Sequence, residues 1–89
     1  MQVQIHNNNQ FDDIFATVID KLTASPTVVL DQGRIGKDQK QAVDVQADGN
    51  GYCLVDVTAA RADDTTRTKT FSDQSRSSGD VIDVDTFGV

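Results

Sequence analysis

The segment QFDDIFATVIDKL, Gln10–Leu22, decides how the rest of the chain is read. Phe11, Ile14, Phe15, Val18, Ile19 and Leu22 recur at spacings of three and four, so on a helix they share one face. Asn9 can cap the start, with Asp12 and Asp13 in the first turn beside the positive end of the helix dipole. Lys21 sits in the last turn, and the residue before Pro26 is pushed out of the α region. The spacing therefore predicts an amphipathic helix over Gln10 to Thr23.

The segments on either side read as strands. MQVQIH alternates, with Val3 and Ile5 on one side and Gln2, Gln4 and His6 on the other. After Pro26, TVVLD reads as a short buried strand, followed by the glycine-punctuated loop QGRIGKDQKQ. AVDVQA and YCLVDVTAA flank DGNG, and a hairpin closed there pairs Ala47 with Tyr52 and Val45 with Leu54. RTKTF is a further strand, rich in β-branched threonine, with ADDT as the turn before it. SDQSRSSGD reads as a linker, and VIDVDTFGV as a last acidic strand or arm.

The expected fold class is α+β: one amphipathic helix packed on a mainly antiparallel sheet of about five strands, with an acidic C-terminal strand or arm. Residues 1–71 form the domain, and residues 72–89 the polar linker and arm. The expected core is Val3, Ile5, Phe11, Ile14, Phe15, Val18, Ile19, Leu22, Val28, Leu30, Val43, Val45, Leu54 and Val57.

A chain of 89 residues with 37% apolar content supports one modest core. All 14 acidic residues are Asp, which disfavours helix interiors and favours turns. The net charge of −6 argues against direct nucleic-acid binding, because phosphate contacts run on Lys and Arg. A single cysteine, Cys53, excludes an internal disulfide. MQVQIHNNNQ lacks a positive n-region and an apolar run, and no segment approaches a membrane span. The expected location is the cytoplasm of a host cell or a virus particle.

DVQADGNGYCLVD, Asp44–Asp56, begins like a calcium loop, with Asp44, Gln46 and Asp48 at alternate positions and Gly49 sixth. Its twelfth position is Val55 where a bidentate Glu is needed, and its flanks read as strands, so a tight turn is the better reading. GRIGKD lacks the phosphate-loop spacing and places Asp38 after the lysine, where that motif needs Ser or Thr. Cys53 lies in an apolar strand and His6 at a strand end, an arrangement that does not suggest a nucleophile and its base. No catalytic residue, metal or cofactor is expected.

Two surfaces remain as candidates for protein partners, which are expected to be further copies or neighbouring subunits. One is the acidic arm, Asp80, Ile82, Asp83, Val84, Asp85 and Phe87, adding a strand to an adjacent sheet. The other is the basic loop, Arg34, Lys37 and Lys40. The expectation is a non-enzymatic interaction subunit of a larger assembly, such as a small structural or accessory protein of a phage particle. The alternative is a small acidic inhibitor or adaptor, for example an anti-defence protein that occupies a basic site on a host protein. Under the first reading, a chain ending at Ser72 folds and fails to assemble.

Overall fold

In the computed structural model, which describes residues 1–89, Ile14–Asp20 is a β-strand and the chain contains no helix. The seven strands are β1 Gln2–Asn7, β2 Ile14–Asp20, β3 Thr27–Ile35, β4 Lys40–Asp44, β5 Val55–Arg61, β6 Thr68–Gln74 and β7 Val81–Val84. They form a three-stranded sheet, β4-β1-β7, and a four-stranded antiparallel sheet, β3-β2-β5-β6. The α+β expectation is thus overturned in favour of a two-layer β-sandwich.

The physical reason lies in β2. Ile14, Thr17, Val18 and Ile19 are β-branched and Phe15 is aromatic, all types that suit a pleated surface. Burial alternates strictly: Ile14, Ala16, Val18 and Asp20 are buried, and the residues between them are half-buried. With β3 on one side and β5 on the other, β2 is an interior strand whose backbone groups have partners along both edges. A lone helix in this position would have left β3 without a partner strand and β5 paired along one edge only.

One core lies between the sheets. Val3, Ile5, Val43, Ile82 and Val84 point into it from the first sheet; Ile14, Ala16, Val18, Ile35, Val55, Val57 and Ala59 point into it from the second. Three members of the expected core are instead solvent-exposed: Phe11 at 86%, Val28 at 51% and Leu22 at 36%. Phe11 and Leu22 belong to a helix face that does not form, whereas TVVLD does form a strand, β3, but at the sheet edge with Val28 turned to solvent. Asn9 is no helix cap; it is buried and bonded to Thr86.

The turn at DGNG forms, but not the hairpin around it. Asp48 Oδ1 accepts hydrogen bonds from the Asn50 and Tyr52 amides at 2.8 and 3.0 Å, and Gly51 takes φ 84°. The flanking strands then part into different sheets, β4 against β1 and β5 against β2 and β6. Tyr52 bridges to Ser77 rather than to Ala47. Val45 and Cys53 turn inward, and the buried Asp20 carboxylate accepts from the Leu22 and Gln46 amides, fixing this end of the sandwich.

The last strand belongs to its own chain. β7 runs parallel to β1, with Ile5 beside Ile82 and His6 beside Asp83.

Candidate interaction surface

The opposite end of the sandwich carries most of the sequence-predicted site residues. It is built around Asn7, the last residue of β1, which is fully buried. Its side-chain amide donates to the carbonyls of Asp12, Ile35 and Gly36 at 2.9, 3.1 and 3.2 Å, and its Oδ1 accepts from the Asn9 amide at 3.0 Å. Asn9 in turn donates to Thr86 Oγ1 at 2.8 Å and accepts from the Thr86 amide. No buried side-chain polar atom is left without a partner, so this network holds the 8–13 segment and the C-terminal residues against the sandwich.

With its neighbours fixed in this way, Phe11 has no place inside. It stands on the surface near Phe87, which is 57% exposed. These two rings, with Asn8 and Gln10, line a cleft of about 330 Å³. Phe11 also borders a second cleft of about 220 Å³, lined by Asp12, Asp13, Arg34, Lys37, Ala62 and Asp63.

The basic loop is partly neutralised by its own chain. Arg34 lies in β3, and its Nε and Nη2 donate to Asp13 Oδ2 at 3.1 and 2.7 Å while the guanidinium covers the Phe15 ring. The guanidinium beside it holds the Asp13 carboxyl below its ordinary range, helped by the Lys37 amide. Lys37 follows the end of β3 and Lys40 begins β4; neither side chain makes an ion pair.

The six arm residues do not act together. Ile82 and Val84 are fully buried in the chain's own core and are not free to fill a partner's pockets. Asp80 accepts from the Ser77 amide and hydroxyl, which hold its carboxyl low. Asp85 pairs with Lys69 Nζ at 2.8 Å, linking the end of β7 to β6. Only Phe87 offers a large exposed apolar surface.

Asp83 belongs to a cluster that sequence reading missed. His6 Nδ1 lies 2.7 Å from Asp83 Oδ1, and His6 Nε2 lies 2.8 Å from Asp38 Oδ1. The Asp38 carboxylate first, and that of Asp83 next, raise the His6 pKa, because an imidazolium can donate from both nitrogens. The three residues lie 32 and 77 positions apart, beyond the reach of any local pattern. Alternation in β1 does put His6 on the outer face, and that was the one signal available. Both imidazole nitrogens are engaged by carboxylates, while Cys53 is buried with its Sγ near the Gln74 carbonyl, so the two do not form a nucleophile–base pair.

In comparison with protein-family models, curated proteins and solved structures, the chain has no match.

Proposed function

We propose that this chain is a non-enzymatic protein–protein interaction subunit of a larger assembly, a virus particle being one such setting, and that its Phe11–Phe87 end meets a protein neighbour. The observation that carries the reading is two exposed aromatic rings lining one cleft on a rim held rigid by the Asn7–Asn9–Thr86 network. Aromatic side chains fixed before binding lose little entropy on contact and are favoured at the centres of interfaces. The cleft suits an apolar side chain of the neighbour, with Asn8 and Gln10 available to its backbone. The acidic-inhibitor alternative draws less support, because Asp13, Asp56, Asp63, Asp64, Asp73 and Asp85 already face cations of their own chain.

The test is a Phe11→Ser, Phe87→Ser double variant expressed in the protein's own source. Both rings are exposed, so the melting temperature is expected to hold while co-sedimentation with the high-mass fraction is lost. Unchanged co-sedimentation would overturn the reading.

A further inference from the structure

The four outer strands of the sandwich offer unequal edges. β3 carries Gln32 at φ 47° and its register against β2 shifts twice. β6 carries Asp73 at φ 54° and shifts against β5. Such irregularities bend an edge away from pairing. β7 has only four residues. β4 is different, because Lys40–Asp44 runs along β1 with no register shift and no left-handed residue.

The backbone parity of β4 is fixed. The Asn7 amide donates to the Gln39 carbonyl and the Val45 amide to the Met1 carbonyl, at 2.9 and 2.8 Å. In an antiparallel ladder the bonded pairs alternate, so Gln41 and Val43 bond to β1, and Lys40, Ala42 and Asp44 turn their N–H and C=O groups to the open edge. The side chains of these three lie on the solvent face, opposite the buried Val43. Lys40 and Asp44 have no ion-pair partner in their own chain. The only side chain bonded to these outward groups is that of Gln41, whose Nε2 donates to the Ala42 carbonyl.

We propose that β4 is a self-association edge whose partner is a second copy of this chain, paired antiparallel about a two-fold axis through Ala42. This surface is separate from the Phe11–Phe87 end and stands whether or not that end has a partner. KQAVD is complementary to itself in charge: the pairing sets Lys40 opposite Asp44 of the partner subunit, and Asp44 opposite the partner's Lys40, all on one solvent face. The outward backbone groups meet in the bonded phase, and the small Ala42 side chain fits at the axis. Slipping the register by two residues loses both charge pairs. Slipping it by four sets Lys40 against the partner's Lys40, or Asp44 against the partner's Asp44. Charge thus selects one register, and the two three-stranded sheets become one continuous sheet. A lone edge lysine commonly guards against pairing; here its mirror position holds the carboxylate that accepts it.

The experiment is sedimentation equilibrium of the full chain at physiological ionic strength, with melting temperatures alongside. The wild-type chain is expected to dimerise reversibly. Lys40→Asp alone and Asp44→Lys alone each replace both attractive pairs with repulsive ones and weaken the dimer about tenfold or more. The two single variants, when mixed, pair with each other, and the double variant Lys40→Asp, Asp44→Lys dimerises like the wild type. Ala42→Pro removes an outward N–H without breaking a bond to β1, and abolishes the dimer. A wild-type chain that stays monomeric would overturn the proposal, as would single variants that dimerise normally or fail to pair on mixing. The Phe11→Ser, Phe87→Ser variant is expected to dimerise normally, which separates this proposal from the one above.

Discussion

His6 joins three parts of the chain that are distant in sequence. It sits on β1, donates from one ring nitrogen to Asp83 of β7 and from the other to Asp38 of the β3–β4 turn, and shares the outer face of the sheet with Lys40. Asp38 itself is at φ 55°, a region that non-glycine residues enter only when held there. The folded-state pKa of His6 is raised, so its contribution to stability is fully present below the unfolded value of 6.5 and is lost as pH rises through the folded value. The melting temperature of wild type over His6→Gln is therefore expected to be greatest on the acid side of 6.5 and to shrink above it. A difference that grows with pH would show that the cluster does not hold the imidazolium. Asp13 and Asp63 act with the opposite sign. Their carboxyls are held low by Arg34 and Arg61, so what they contribute is lost as pH falls through the folded values, and exposure keeps it small.

Among the elements, β2 separates the helical from the extended reading through two positions. On a helix Phe11 lies on the apolar face and Ala16 lies off it; in the sandwich Phe11 is 86% exposed and Ala16 fully buried. Phe11→Ser is thus expected to change stability by no more than about 0.5 kcal/mol, as for an ordinary surface substitution. Ala16→Leu forces extra methylenes between the sheets and is expected to cost about 1–3 kcal/mol in urea unfolding. The reverse order would restore the helix. β1 was legible because its apolar and polar residues strictly alternate and no competing period is present. β2 was not, because a run with Ile14, Phe15, Val18 and Ile19 satisfies the helical spacing as well as the pleated one. The same ambiguity affected the turn at Asp48: its local chemistry was readable, whereas the separation of β4 and β5 into two sheets depends on β1 and β2 competing for them.

For the whole molecule, the decisive contact joins the two ends of the chain. β7 supplies Ile82 and Val84 to the core and runs beside β1. Deleting one buried aliphatic side chain costs about 2–5 kcal/mol, and the total stability of a small domain is about 5–15 kcal/mol. A chain ending at Ser72 is therefore expected to be unfolded by circular dichroism and urea titration, rather than folded and unable to assemble. A cooperative transition in that truncated chain would contradict the placement of β7. The sequence by itself determined the strand alternation of β1 and β6, the turn at Asp48, a last strand with Asp83 on its outer side, and the acidic composition. All of these follow from neighbours within a few positions. Only the tertiary structure decided that Gln10–Leu22 is not a helix, that Phe11 is exposed, that Ile82 and Val84 are spent inside, and that His6 meets Asp38 and Asp83. The reason is that a strand has no internal hydrogen bonds: whether a β-compatible segment becomes one depends on partners elsewhere in the chain, and here those partners come from β3, β5 and the opposite terminus.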